Sequence, residues 1–234
     1  GMDDPLHYRN KMQAAFSSDA RGRAVSGVWQ TKEARVVKTA SCLIEDEMSL
    51  WIVRAVRGML RDYGITVYNS RTGRGILRHI MIRRATVTGE IMVALVTSDR
   101  RIPHAIEFSE ALVHRFPHIK TIVRCVNDTN IPLWIGDKSE VLYGDGYIED
   151  VLCGCYFRIS PQSFYQVNHT QTEVLYNKAL DFARLRGNEN VIDAYCGVGT
   201  IGIIAAAETG HVTGIESNPD AVKNAVENCR LNHT

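Results

Sequence analysis

The sequence has no run of 18 or more apolar residues, so no segment is long enough to cross a bilayer as a helix. Its first residues, Gly1-Met2-Asp3-Asp4, are acidic and no apolar segment follows them, so we expect no signal peptide and a cytoplasmic location. The net charge is also small, since 27 basic and 26 acidic residues give a formal charge of +1. That balance, with 45% hydrophobic residues, excludes disorder as the main state of the 234-residue chain.

The sequence also lacks cysteine and histidine residues at the spacing of a metal site. The cysteines contain no CxxC pair and the eight histidines are scattered, so we predict no metal ion in this chain. Without a secretion signal, the cysteines are expected to be reduced thiols. They are Cys42, Cys125, Cys153, Cys155, Cys196 and Cys229.

Two different patterns divide the chain near residue 150. Residues 1–150 mix strand and helix signals and predict a small α+β central domain. Residues 151–234 alternate instead: helix, apolar strand, glycine turn, helix, strand, helix. This order is typical of the first part of a parallel, doubly wound sheet. The predicted fold class is therefore α/β, with the central domain followed by the start of a Rossmann-like sheet.

The elements can be placed by their hydrophobic spacing and turn residues. In the central domain, the predicted helices cover 45–62 and 105–115, and the predicted strands cover 23–38 (a strand or hairpin), 76–84, 90–97, 121–126 and parts of 140–158. In the second domain, the predicted helices cover 170–186, 201–207 and 219–231, and the predicted strands cover 190–195 and 211–216.

The turn after the first strand of this sheet carries the most informative motif, Asp193-Ala194-Tyr195-Cys196-Gly197-Val198-Gly199-Thr200. Glycines let the backbone approach a ligand, and the next strand ends in Glu216, where an acid can accept hydrogen bonds from ribose hydroxyls. The glycines match the GxGxxG of dinucleotide sites, whereas D-x-x-C-G-x-G is the pattern of S-adenosylmethionine-binding sheets. Asp193 favours the latter, because it repels a pyrophosphate and attracts an ammonium or sulfonium group. A glycine turn without any ligand remains the third interpretation.

Several segments resemble bacterial RNA uracil-5-methyltransferases, in particular the 23S ribosomal RNA enzymes of Gram-positive type. The matching segments are 7–11, 77–83, Ile159-Ser160-Pro161-Gln162-Ser163-Phe164-Tyr165-Gln166-Val167-Asn168, 172–176, 193–200 and 214–221. The resemblance implies that Gln166 contacts the cofactor from the helix leading into the sheet. It also implies that Tyr195 and Thr200 line the cofactor pocket and that Glu216 holds the ribose. Many relatives carry Asn at the position of Thr200.

The same resemblance implies a reaction in which a cysteine thiolate adds to C6 of uracil, C5 takes the methyl group, and a carboxylate removes the C5 proton. The segments that carry these groups in the family are absent here, so we expect a fragment with no catalytic residue and no activity alone. Cys196 does not match the nucleophile and is expected to pack beside the cofactor. Cys42 resembles one ligand of a 4Fe–4S cluster, which would form only in a full-length parent with an N-terminal barrel.

Basic residues of the central domain are candidate RNA contacts. No acid lies between Asp62 and Glu90, and this stretch contains Arg71, Arg74, Arg78 and Arg83. The expected function is S-adenosylmethionine-dependent methylation of C5 of a uridine in RNA, with 23S rRNA as the substrate and tRNA as the alternative. Two other possibilities stay open: a non-catalytic RNA- or cofactor-binding module that needs a partner chain, and an NAD-dependent oxidoreductase.

Overall fold

A computed structural model describes residues 1–129 and 131–234. The chain forms two compact units. The seven-stranded unit comprises residues Asp4–Arg84 and Ile91–Gly146, and the glycine-loop unit comprises Gly1–Asp3, Ala85–Glu90 and Tyr147–Thr234. The sequence pattern places one boundary near residue 150. Residues 85–90 join the glycine-loop unit because the backbone N–H groups of Thr86 and Val87 donate to the Asp150 carboxylate.

The seven-stranded unit is one mixed sheet with two helices. Its strands are β1 Lys11–Ser18, β2 Ala24–Gln30, β3 Arg35–Lys38, β4 Leu77–Arg84, β5 Ile91–Thr97, β6 Ile119–Val126 and β7 Lys138–Tyr143, in the spatial order β3-β2-β1-β4-β5-β6-β7. The helices are α1 Glu47–Met59 and α2 Ala105–Arg115. All neighbouring strands are antiparallel except β5 and β6, which are parallel and joined through α2. A parallel pair needs such a crossover connection.

The core of this unit lies between the sheet and its helices. Ile80, Val93 and Ile122 from three adjacent strands belong to the same buried cluster as Ile52 of α1 and Phe108 of α2. Burial of each such side chain stabilises the fold by about 1.5–3 kcal/mol. Helix α1 begins after Asp46, whose side chain accepts a hydrogen bond from the Ser49 backbone N–H.

The glycine-loop unit contains an antiparallel hairpin, a two-stranded parallel sheet and three helices. The hairpin is β8 Ile148–Leu152 and β9 Cys155–Ile159, and the parallel sheet is β10 Asn190–Ala194 and β11 His211–Ile215. The helices are α3 His169–Ala183, α4 Thr200–Ala205 and α5 Pro219–Asn232. The order β10-α4-β11-α5 confirms the alternation predicted from the sequence.

Strand β1 was not predicted from the sequence. β1 pairs with both β2 and β4 and so lies inside the sheet, although residues 11–18 show neither β-branched side chains nor regular alternation. Pairing on both edges therefore overrides a weak local preference. Among the described residues, no helix has the length and apolarity that a bilayer crossing requires.

Candidate functional site

The loop between β10 and α4 turns sharply at the carboxyl end of the parallel sheet. Tyr195, Gly197 and Gly199 all have positive φ, at 62°, 58° and 84°. Gly199 is the N-cap of α4, and its carbonyl accepts the first helical hydrogen bond from Ile203 N at 2.9 Å. Val198 is buried and anchors the loop, while the Tyr195 side chain is 91% exposed. The loop thus presents backbone and an aromatic ring on an open surface.

Glu216 follows β11 and joins this loop to the start of α5. Its Oε2 accepts a hydrogen bond from Gly197 N at 3.0 Å, and its Oε1 accepts hydrogen bonds from Ser217 N and Asn218 N, each at 2.8 Å. The N–H groups of Asn218, Gly197 and Ser217 lower the pKa of the Glu216 carboxyl, so it is ionised at neutral pH. A carboxylate oxygen accepts more than one hydrogen bond, and Oε2 therefore keeps capacity for a hydroxyl donor.

Asp193 lies one residue before the end of β10 and supports the same loop from the other side. Its Oδ2 accepts a hydrogen bond from Gly202 N of α4 at 2.9 Å. Burial raises the pKa of the Asp193 carboxyl, and the Gly202 N–H opposes that shift. A Cβ at position 202 would lie 3.0 Å from Oδ2 of Asp193 and 3.2 Å from Cγ1 of Val212, so a larger residue would push this carboxylate away.

Cys196 lies near enough to both carboxylates for their charges to act on its thiol. Burial raises the pKa of its thiol, and the negative charges of Asp193 and Glu216 raise it further. A nucleophilic cysteine needs the opposite environment, one that stabilises the thiolate. A Cβ at Gly214 would lie 3.0 Å from Cys196 Sγ, which indicates tight packing against β11.

A row of three asparagines on α5, the asparagine ladder, contacts β9 and the segment after it, and one member reaches the glycine loop. We use this name for Asn224, Asn228 and Asn232, which are spaced four residues apart. Asn228 is fully buried; its Oδ1 accepts from Arg158 N at 2.7 Å, and its Nδ2 donates to Val198 O at 3.0 Å. It therefore connects strand β9 to the loop.

Of the other two members of the ladder, Asn232 contacts the backbone of β9 and Asn224 contacts the segment that follows β9. Asn232 donates to Tyr156 O and accepts from Tyr156 N, whereas Asn224 donates to the hydroxyls of Ser160 and Ser163. Our sequence reasoning missed these residues. The i, i+4, i+8 spacing of identical amides on one helix face was the available signal.

The predicted cofactor-binding residues lie at different places in this unit. Tyr195, Thr200 and Glu216 belong to the glycine loop and its acid, and Thr200 Oγ1 lies 3.3 Å from Tyr176 OH of α3. Gln166 lies in the segment before α3, three residues ahead of its first residue His169, and not within the helix as the resemblance implied.

A cleft of about 390 Å³ lies in the same unit. Asp193, Cys196, Gly199 and Gly214 line it, together with residues of α5 such as Cys229. The described residues contain no group of three or more His, Cys, Asp or Glu side chains that could hold a metal ion.

The four predicted RNA-contacting arginines differ in accessibility. Arg71 and Arg74 are exposed in the turn before β4. Arg78 uses Nη1 to donate to Asn127 O and Thr129 O, at 2.7 and 2.6 Å. Arg83 is only 1% exposed, so its guanidinium cannot reach a phosphate in this structure. The sequence predicts an arginine-rich surface, but β4 is buried on both faces from His79 to Arg83, so Arg83 is covered as well.

Comparisons with known proteins find this chain similar to methyltransferases. Residues 153–234 match the family model of the TRM5/TYW2 methyltransferase domain. The chain is 42% identical over 232 residues to an uncharacterized RNA methyltransferase of Halalkalibacterium halodurans, covering 99% of this chain and 50% of that protein. It is 40% identical over 233 residues to one of Bacillus cereus, covering 100% and 51%. The chain thus spans about half the length of the curated relatives it matches.

A solved structure shows the same fold. The Pyrococcus abyssi tRNA (uracil-54, C5)-methyltransferase, in complex with S-adenosyl-L-homocysteine, superposes with a TM-score of 0.83. The match has 24% identity and covers 99% of this chain and 55% of that one. The chain therefore has the mixed α/β, Rossmann-like methyltransferase fold that its sequence predicts.

The assignment to the bacterial uracil-5-methyltransferase family is wrong. The family model that matches residues 153–234 is the TRM5/TYW2 methyltransferase domain, and the likeness to the Pyrococcus enzyme is one of fold. The glycine loop and its acid do not distinguish the two methyltransferase families, because any sheet that binds an adenosyl cofactor can use them. Three expectations rested on that assignment and lose their basis. They are the uridine-C5 reaction, the absence of its cysteine nucleophile from this chain, and the iron–sulfur cluster of a full-length parent.

Proposed function

We propose that this chain is the cofactor-binding part of an S-adenosylmethionine-dependent RNA methyltransferase, and that its substrate is tRNA. One observation carries the cofactor part of the proposal. An ionised acid after β11, Glu216, lies 3.0 Å from the backbone of the glycine turn, with acceptor capacity left on the same oxygen. A cofactor with a ribose at this point would find its acceptor already in place.

The residues of the loop fit an adenosyl group. Glu216 would accept from ribose hydroxyls, and the exposed ring of Tyr195 offers a face for the adenine. Thr200 adds a hydroxyl at the start of α4, and Asp193 adds a negative charge that suits the amino group of the methionine part. Gln166 stays a candidate contact from the segment before α3. S-adenosylmethionine supplies, when bound, a methyl group on a positively charged sulfur.

The RNA part of the proposal rests on the relatives. The curated relatives are named RNA methyltransferases, and the family model is that of the TRM5/TYW2 methyltransferase domain. The structure neighbour is named as a tRNA enzyme. These names favour tRNA over 23S rRNA as the substrate. Arg71 and Arg74 are the exposed candidates among the arginines predicted to contact RNA.

A titration tests the cofactor site. Calorimetry with S-adenosylhomocysteine should show binding to the 234-residue chain, and Glu216→Ala should weaken it about tenfold or more, because a ribose hydrogen bond to a charged group, worth roughly 1.5–3 kcal/mol, is lost. Glu208→Ala is the matched control, since Glu208 is an exposed acid of the same unit outside the loop. Glu216→Gln, which keeps one acceptor oxygen, should lie between the two. Tighter binding of NAD than of S-adenosylhomocysteine would overturn the assignment.

Nucleoside analysis tests the substrate. Deletion of the gene that encodes this chain should remove one methylated nucleoside from purified tRNA, and the gene on a plasmid should restore it. The identity of the missing nucleoside gives the methylated base. Loss of a methylated nucleoside from 23S rRNA alone would overturn tRNA as the substrate. No loss from either RNA, together with S-adenosylhomocysteine binding, would favour a non-catalytic module.

A further inference from the structure

Three loops meet at one end of the seven-stranded sheet. Leu77 at the start of β4 pairs with Thr97 at the end of β5, and Thr97 pairs with Val126 at the end of β6. Val126 in turn pairs with Lys138 at the start of β7. The loops before β4, after β5 and after β6 therefore emerge side by side. They carry exposed Arg71 and Arg74, Arg100 and Arg101, and Trp134, which we call the arginine–tryptophan edge.

Arg124 fixes the loop after β5. It is only 8% exposed, and its Nε donates to Thr97 Oγ1 at 3.1 Å. Its Nη2 donates to the carbonyls of Asp99 and Arg100, at 3.1 and 3.0 Å. Ser98 adds a link to the neighbouring loop, because its Oγ donates to Gly75 O at 2.9 Å. The backbone that carries Arg100 is thus held by a buried guanidinium, while the Arg100 side chain itself is exposed.

Arg78 and Asn127 fix the loop after β6. Arg78 donates to Asn127 O and Thr129 O, and its guanidinium stacks on Tyr68 at 4.6 Å. Asn127 is fully buried, and its Nδ2 donates to the carbonyls of Ile131 and Trp134, at 2.9 and 2.8 Å.

Gly136 lets the same loop return close to β6. It has a φ of +84°, and a Cβ there would lie 1.8 Å from Val126 O. The backbone around Trp134 is therefore fixed on both sides, although its ring is 44% exposed. An exposed tryptophan on a fixed backbone loses little conformational entropy when a flat ligand stacks on it.

The charge of this edge is mainly positive. None of the ion pairs among the described residues includes Arg71, Arg74, Arg100 or Arg101, so no described carboxylate neutralises these guanidinium groups. The acids of the same loops are fewer. Asp128 pairs with Lys138 at 3.8 Å, which leaves Asp62, Asp99 and Asp137.

We propose that the arginine–tryptophan edge binds single-stranded RNA, with phosphates at the arginines and one unpaired base stacked on Trp134. Guanidinium groups bind phosphates through paired hydrogen bonds, and an aromatic face stacks on any base. A duplex keeps its bases stacked inside and offers phosphates alone. The proposal names a surface for the RNA partner of the proposed function and does not depend on cofactor binding.

A binding series tests the surface. The 234-residue chain is titrated into a fluorescein-labelled 12-nucleotide RNA of mixed sequence, at several salt concentrations. Trp134→Ala should weaken binding at least about fivefold, the lower end of the range for one stacked base, and Trp134→Phe should stay within about twofold of the wild type. Each double variant, Arg71→Ala with Arg74→Ala or Arg100→Ala with Arg101→Ala, should reduce the slope of log K against log salt by about 1.4.

Matched controls separate this edge from general charge and hydrophobicity. Trp51→Ala removes another exposed tryptophan of the same unit, and Arg54→Ala with Arg115→Ala removes two exposed arginines of helices α1 and α2, outside the three loops. Both controls should bind RNA as the wild type does. The proposal would be overturned if the control variants lost as much affinity for the RNA as the edge variants, or if Trp134→Ala left the affinity unchanged. It would also be overturned if Trp134→Ala weakened binding to the same RNA in duplex form as much as binding to the single strand. Wild-type RNA binding with no loss in any edge variant would leave the proposed function standing and remove this surface from it.

Discussion

Asn228 is expected to be the most sensitive position of the asparagine ladder. Replacing it with alanine removes the acceptor of the Arg158 N–H and the donor to Val198 O, which lie at 2.7 and 3.0 Å. Because Asn228 is fully buried, water cannot substitute for its amide without opening the structure. An orphaned buried polar group costs about 1–3 kcal/mol, so two of them should lower the free energy of unfolding by roughly 2–6 kcal/mol.

Asn232→Ala is the matched control for this substitution. Asn232 lies one turn further along α5 and makes the same kind of paired contact with the backbone of Tyr156, but these contacts are open to solvent. Water can replace its amide, so we expect a loss below about 1 kcal/mol. The two variants delete the same side chain from the same helix and differ in burial.

Urea unfolding followed by far-UV circular dichroism measures the difference. With a slope of about 2 kcal/mol per molar urea, Asn228→Ala should shift the midpoint down by roughly 1–3 M and Asn232→Ala by less than about 0.5 M. All three tryptophans, Trp29, Trp51 and Trp134, lie in the seven-stranded unit, so their fluorescence follows that unit separately.

Amide exchange gives a local measure of the same effect. A local loss of 2 kcal/mol should accelerate exchange in β9, Cys155–Ile159, by about 30-fold in Asn228→Ala. Equal midpoint shifts in the two variants, or unchanged exchange in β9, would refute the idea that burial of the ladder determines its contribution.

Three further predictions concern protonation and capping. Burial, with help from the Arg78 charge, lowers the pKa of His79 to about 3, so the unfolded chain binds one more proton between about pH 6.5 and 3. The free energy of unfolding should therefore fall by about 1.4 kcal/mol for each unit by which the pH is lowered within that window. His79→Met should flatten this pH dependence in urea titrations. Burial and the neighbouring carboxylates raise the pKa of the Cys196 thiol, so its alkylation by iodoacetamide at pH 8 should be slow and should be faster in Glu216→Gln. Peptide mass spectrometry measures the alkylation rate, and rapid alkylation of the wild type would contradict this environment of the thiol. Asp46→Ala should lower the free energy of unfolding by about 1 kcal/mol, because the Ser49 N–H at the start of α1 loses its cap, and a calorimetric midpoint within error of the wild type would argue against that role.

Much of the glycine-loop unit can be predicted from the sequence, because its signals are local. Asn218 and Pro219 mark the start of α5, and the glycines mark the turn before α4. Glu216 can be placed near the turn, because parallel strands bring their carboxyl ends to one edge of a sheet. These patterns determine the element order and the kind of ligand site. They do not determine the family, because sheets with different substrates can share the same cofactor geometry.

Contacts between distant segments were decided only by the tertiary structure. The central position of β1 depends on two strands that pair with it, and no property of residues 11–18 records that pairing. Arg78 and Arg83 look alike in sequence, yet one fixes a loop 49 residues away and the other is buried. Asn228 reaches Arg158 and Val198 across 70 and 30 residues. Local preference determines most of the elements, whereas long-range pairing places β1. Burial and long-range hydrogen bonds decide which polar side chains are structural and which remain available for a ligand.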